Sequence, residues 1–151
     1  VAREIVLYPI ADTPVSATSP DQPQSPDSIT GLPAGGENRD VALLTFAVEG
    51  IAPGTVVGAT LVLTGIGGSD PGGTVTVAGG YFVDETTLTF GAAPVTNLPV
   101  VIRSDGAAAT IDWIDPGVTY AIDVTGTVTS DSLVTFVITG VPDASVSFGS
   151  R

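Results

Sequence analysis

The residues best suited to chemistry are carboxylates and aromatic rings, and they gather around the only tryptophan. Trp113 follows Asp112 and precedes Asp115 by two positions. An exposed indole can stack on a sugar ring while nearby carboxylates accept hydrogen bonds from its hydroxyls. The alternative is a tryptophan that covers the core beside a turn. The glycan-stacking candidates are Trp113, Tyr81, Tyr120, Asp112 and Asp115.

Two other groups of acidic residues are candidate sites. Asp84 and Glu85 are adjacent, so on a strand their side chains point to opposite faces, which disfavours the paired carboxylates of a glycosidase. Asp12, Asp21 and Asp27 lie in or near a loop-rich segment and could supply hard oxygen ligands for a structural calcium ion. No EF-hand spacing is present, and solvated loop acids are the alternative. We predict no catalytic residue.

Composition excludes most classes of mechanism. The chain has no histidine and no cysteine, and arginine supplies its four cations against sixteen carboxylates, a net charge of −12. It therefore lacks an imidazole base, a thiol nucleophile and a lysine for Schiff-base or P-loop chemistry. Its acidity disfavours nucleic acid, and no apolar stretch is long enough for a membrane helix. We expect no enzyme activity, no required cofactor and no membrane insertion.

The elements that must position these residues are predicted to be strands. Nineteen glycines and twelve prolines divide the chain into short runs rich in valine, isoleucine, threonine and leucine, a pattern typical of many strands joined by turns. No helix-length window has apolar residues at helical spacing. We predict an all-β, jelly-roll-like antiparallel sandwich of two sheets with about ten strands. The candidate strands cover residues 4–10, 41–48, 59–64, 74–77, 81–83, 87–90, 100–103, 109–113, 119–124, 133–139 and 145–148.

The beginning of the chain combines an apolar run with a proline-rich stretch. Residues 4–10 are predicted to form the first strand, and a surface loop follows at about residues 13–37 with five prolines in it. Proline suits a surface loop because it cannot donate to a strand ladder. We expect one domain over residues 1–151, interrupted by this loop.

Six short segments, in order, carry a family resemblance that spans almost the whole chain. Each is ordinary strand and turn composition by itself. The segments are residues 10–13, 42–46, 54–61, 84–90 with Ala93-Pro94, 122–125 and 146–151. Together they resemble the DNRLRE-type β-sandwich module of microbial surface proteins, whose relatives include carbohydrate-binding modules of polysaccharide lyases. The resemblance implies a sandwich fold and a secreted or cell-surface protein.

Two functions of different classes follow. The low charge density, 13%, suits burial against other copies and predicts a self-assembling subunit of an extracellular filament or coat. The N-terminal strand of such a subunit could pair with a neighbour's sheet edge or within its own sandwich. The assembly-strand candidates are Arg3, Ile5, Leu7, Tyr8 and Ile10. The alternative is a module that binds an extracellular polysaccharide. A chain that starts at Val1 instead of methionine predicts an exported bacterial or archaeal product.

Overall fold

The structure, a computed structural model, describes residues 3–22, 31–36, 40–67, 70–79, 87–89, 109–139 and 145–149. No helix occurs within these ranges, and the all-β prediction is confirmed. The described strands are β1 (Ala11–Val15), β2 (Gly31–Gly35), β3 (Val41–Val48), β4 (Thr60–Gly67), β5 (Asp70–Gly79), β6 (Ala109–Ile114), β7 (Thr119–Asp123), β8 (Ser132–Thr139) and β9 (Ser145–Gly149).

These strands form two antiparallel sheets. One sheet has five strands in the order β1-β3-β8-β5-β6, and the other has four in the order β2-β9-β4-β7. Every strand pair is antiparallel, as the sequence predicted. The edge strands of the two sheets contact each other, β1 with β2 on one side and β6 with β7 on the other.

The centre of the five-stranded sheet is buried on both faces, which explains the unbroken apolar run in β3. Leu44 pairs with Phe136, and Leu43 pairs with Val137. Leu44 and Phe136 belong to a core cluster that also contains residues of the four-stranded sheet, such as Phe148. Leu43 and Val137 belong to a second cluster on the opposite face. Strands buried on both faces read as continuous hydrophobic runs.

The second face also contains buried threonines. Thr13, Thr45 and Thr135 are fully buried. The Oγ1 atoms of Thr45 and Thr135 lie 2.7 Å apart and share a hydrogen bond between neighbouring strands. A buried hydroxyl needs such a partner because desolvation without one costs free energy. The pair therefore fixes the register of β3 against β8.

In the four-stranded sheet, β4 shows a two-residue period of buried and exposed side chains. In β4, Leu61 and Leu63 are buried, whereas Thr60, Val62 and Thr64 are exposed. The buried residues join the core cluster that both sheets share. Alternation of this kind is expected where one face of a sheet packs on a core and the other faces water.

Three element predictions were wrong. Residues 4–10 are not a strand, and the first strand is β1 at Ala11–Val15. The predicted loop at 13–37 has strand residues at both ends, the end of β1 and the whole of β2. The candidate strands at 59–64 and 74–77 are too far apart, because β4 runs to Gly67 and β5 begins at Asp70.

The remaining predicted strands have different outcomes. Residues 87–89 are described but are not strand. The candidate strands at residues 81–83 and 100–103 lie outside the described residues. Within the described ranges, no helix has the length and apolar character that crossing a bilayer would require.

Candidate functional site

A tight turn brings the aromatic candidates together where the two sheets meet. This corner turn, residues 115–118, connects β6 of one sheet to β7 of the other. The Val118 NH donates to the Asp115 carbonyl oxygen at 3.3 Å. Gly117 has φ of 80°, and with Pro116 before it this is the signature of a type II turn. The Pro-Gly dipeptide therefore determines how the chain passes between the sheets.

The corner turn is fastened to β4 through Gly65. The Gly65 NH donates to the Val118 carbonyl oxygen at 2.9 Å, and the Gly117 NH donates to the Gly65 carbonyl oxygen at 2.7 Å. A Cβ on Gly65 would lie 2.5 Å from the Asp115 carbonyl oxygen and 2.9 Å from Ile114 Cγ2. Only glycine permits this approach. Gly65 was not among the residues predicted from the sequence, although an isolated glycine within a strand is a known signal for close backbone approach.

Three residues form a hydrogen-bonded network across the corner turn. Trp113 Nε1 donates to Asp115 Oδ1 at 3.2 Å. The Asp115 NH donates to the Tyr120 hydroxyl oxygen at 2.7 Å. Tyr120 is partly buried and packs against the shared core, whereas the Trp113 side chain is 52% exposed. The indole is thus oriented by Asp115 and still presents half of its surface to solvent.

The five glycan-stacking candidates have different outcomes. Trp113, Asp115 and Tyr120 come together as described. Asp112 lies in β6, but its side chain is outside the described part. Tyr81 lies outside the described residues, as does the pair Asp84 and Glu85. The arrangement offers a flat aromatic surface beside one carboxylate, which suits stacking and hydrogen bonding.

The outer side of β7 is a second surface at this corner. Hydrogen bonds from Gly65 to Val118 and from Val124 to Ala59 flank the pairing of β4 with β7. Backbone groups alternate in direction along an antiparallel strand. Those of Thr119, Ala121 and Asp123 therefore point away from β4. No described strand pairs with this side, which we call the β7 edge.

Asp123 ends the β7 edge with a negative charge. Hydrogen bonds from the Thr125 hydroxyl and from the Thr125 NH lower the pKa of the Asp123 carboxyl below its ordinary value. The NH donates to Asp123 Oδ1 at 2.9 Å. Hydrogen bonds to the charged form favour ionisation. Asp123 is exposed and carries its charge at neutral pH.

The assembly-strand candidates lie together in the N-terminal segment, residues 3–10. Arg3, Leu7, Tyr8 and Ile10 are exposed, and Ile5 is partly buried. The Ile10 NH donates to the Thr45 carbonyl oxygen at 2.8 Å, where the segment joins β1. Apart from this hydrogen bond at Ile10, residues 3–10 form no strand, so the structure does not show the pairing within its own sandwich that was one of the two alternatives.

The calcium candidates do not form a group within the described residues. Asp12 is buried in β1, and Asp21 is exposed on the loop that follows. No group of three acidic side chains that could hold a metal ion occurs in the described part of the chain. Asp27 lies outside it, so the calcium site stays a prediction.

No protein-family model and no curated protein sequence matches this chain. The resemblance to DNRLRE-type modules therefore stays a prediction. The corner turn, the β7 edge and the N-terminal segment are the features from which a function can be argued.

Proposed function

We propose that this protein is a non-catalytic structural subunit that assembles outside the cell into a filament or coat. In this proposal its two sheets form a jelly-roll-like sandwich of the DNRLRE type. The N-terminal segment of one copy completes the sheet of another. The observation that carries the proposal is the exposure of an apolar run that has the sequence of a buried strand.

The N-terminal segment has four consecutive apolar residues at positions 5–8. Such an uninterrupted run is typical of a strand covered on both faces. In the isolated chain, however, Val6 is 67% exposed, Leu7 is 37% exposed and Tyr8 is 80% exposed. Contiguous exposed apolar surface on a soluble chain marks an interaction site. A second copy can provide the cover that the segment lacks.

Burial of the run would contribute enough free energy to matter. Each large apolar side chain that leaves water contributes about 1.5–3 kcal/mol, so Val6, Leu7 and Tyr8 together contribute several kcal/mol before ordering costs. Backbone hydrogen bonds to an open sheet edge add to this in β-augmentation. Losses of chain entropy and of translational freedom oppose it. The net gain per contact is modest, which suits assembly through many repeated contacts.

Assembly can be tested on the full chain by light scattering and negative-stain electron microscopy. We expect polymers from the native sequence and their loss when Val6 and Tyr8 are both replaced by serine. Val57→Ser is the matched control, because Val57 is 87% exposed and lies outside the N-terminal segment. Deletion of residues 1–10 should also abolish polymers while thermal unfolding stays cooperative.

Two results would contradict this function. A chain that stays monomeric at high concentration is not an assembly subunit. Polymers that survive the double serine substitution do not depend on the N-terminal segment. Retained thermal unfolding in each variant separates loss of assembly from loss of folding.

The half-exposed Trp113 supports a second function, binding of an extracellular polysaccharide. Its Nε1 is held by Asp115, so the ring is oriented before any ligand arrives, which lowers the entropic cost of binding. A monomer that is retained by an immobilised polysaccharide and whose tryptophan emission changes on binding, with retention lost in the Trp113→Leu variant, would favour this function over assembly.

A further inference from the structure

The four edges of the sheets formed by the described strands are not equally suited to an added strand. β1 contains Pro14 and β2 contains Pro33, each near the strand centre. Proline is tolerated only where its nitrogen faces away from the neighbouring strand, so the outer side of both edges lacks a backbone donor. Proline at an edge blocks further pairing. On the opposite side, β6 and β7 contain no proline.

The β7 edge is suited to receive a strand along its whole length. Thr119, Ala121 and Asp123 direct their backbone groups outward and have exposed side chains. Val118, which directly precedes its first residue, is an exposed apolar residue at 44% exposure. An added strand would therefore find backbone partners along β7 and apolar contacts at one end.

The N-terminal segment cannot reach this edge within its own chain. It leaves the five-stranded sheet at β1, whereas β6 and β7 lie at the other side. Four strand spacings separate the two sides, about 19 Å in total. Eight extended residues span at most roughly 28 Å, and pairing along β7 would consume more than half of them. The donor must come from another copy.

Accordingly, we infer that residues 3–7 of one copy add as an antiparallel strand to the β7 edge of the next, with Arg3 opposite Asp123. This inference rests on the proposed assembly and names its acceptor. Ile5 then lies opposite Ala121, and Leu7 lies opposite Thr119. Pro9 falls beyond the start of β7, where its missing NH costs no ladder hydrogen bond.

Charge selects this register. The chain has only four cations against sixteen carboxylates. One of these cations, Arg3, lies at the start of the N-terminal segment that acts as donor. A shift by one residue would put Glu4 opposite Asp123, and like charges directly opposite each other destabilise a strand pair. A parallel orientation would move Arg3 to the far end of β7 and lose the ion pair.

Cysteine cross-linking tests both the site and the register, because the chain has no cysteine of its own. Ile5→Cys and Ala121→Cys are made in separate chains with tags of different size and mixed under mild oxidation. Opposed residues have Cα atoms about 5.5 Å apart, within the range for a disulfide. We expect the mixed dimer as the main cross-linked product. Val6→Cys with Ala121→Cys is the control, since neighbouring residues point to opposite faces.

The outcomes separate this inference from the proposed function. Polymers without the mixed Ile5–Ala121 cross-link, or with equal cross-linking from Val6, would overturn the β7 acceptor and leave assembly standing. Absence of both polymers and cross-link would overturn both.

A charge reversal provides an independent check. Asp123→Arg should weaken assembly, and Arg3→Asp in the same chain should restore it. Asp21→Arg is the matched control, because it makes the same change in net charge at an exposed loop position. Equal effects of Asp21→Arg and Asp123→Arg would show that net charge acts instead of pairing, and would overturn the register. Unchanged thermal unfolding of each variant excludes misfolding.

Discussion

Replacement of Gly65 by alanine should destabilise the corner between the sheets. The new methyl carbon would lie 2.5 Å from the Asp115 carbonyl oxygen and 2.9 Å from Ile114 Cγ2. Carbon atoms pack best at about 3.5–4.0 Å, so the second contact alone is too short by roughly 0.6–1.1 Å. The first contact is with backbone, which cannot rotate away. Relief therefore requires the corner turn to move away from β4.

The magnitude follows from overpacking and from the two hydrogen bonds that Gly65 makes to the corner turn. Overpacking of this kind costs about 1–3 kcal/mol. For a chain of this length each kcal/mol lowers the melting temperature by about 2–4 °C, so the expected fall is roughly 2–12 °C. The hydrogen bonds between Gly65 and residues 117 and 118, at 2.7 and 2.9 Å, would also lengthen. The fall in melting temperature should therefore lie toward the upper end of this range.

Thermal unfolding followed by tryptophan fluorescence measures this directly, because Trp113 is the only indole and adjoins the corner turn. Gly58→Ala is the control, since its Cβ would meet only Thr125 Oγ1 at an ordinary 3.8 Å. We expect a shifted emission maximum and a lower melting temperature for Gly65→Ala, and neither change for Gly58→Ala. Equal melting temperatures for the two variants would refute the packing argument.

Three further predictions concern hydrogen bonds at other positions. Thr45→Val should cost about 1–3 kcal/mol in chemical denaturation, because it removes a buried bond, and a double-mutant cycle with Thr135→Val should show coupling. The Asp123 carboxyl should titrate below 3.8 by NMR, and Thr125→Val should raise its pKa. Since folding lowers this pKa, the stability it contributes is present above pH 3.8 and is lost as the pH falls through the folded value. Asp115→Asn should alter Trp113 emission without abolishing folding, because the indole loses a charged acceptor.

Strand prediction succeeded where side-chain pattern alone decides the structure. β3 has an apolar run and β4 alternates, and both patterns are direct consequences of which faces are buried. It failed for β1 and β2, whose proline and glycine lower local strand propensity. Both lie at sheet edges, the one place in a sheet where proline is tolerated. Their strand state depends on neighbours distant in sequence, which composition does not reveal.

The opposite failure occurred at the N-terminal segment. Residues 4–10 have high strand propensity but no strand assignment, because propensity reports how well a residue fits a pleated surface and does not supply the neighbouring strand. At the corner, the sequence identified Trp113 and Asp115 from their proximity. It could not show that Gly65 holds the corner turn in place, because that contact joins positions some fifty residues apart in the chain.

Positions of donor and acceptor determine what kind of assembly the proposed contact would build. The N-terminal segment leaves the molecule beside β1, and the β7 edge lies on the other side. A contact between two different surfaces is heterologous, so each copy keeps one free donor and one free acceptor after it binds. Such contacts generate a ring if the rotation between copies closes and a filament if it does not. Proline in β1 and β2 disfavours edge-to-edge pairing on the donor side, so growth would proceed through one kind of contact, with a free donor at one end of the filament and a free acceptor at the other.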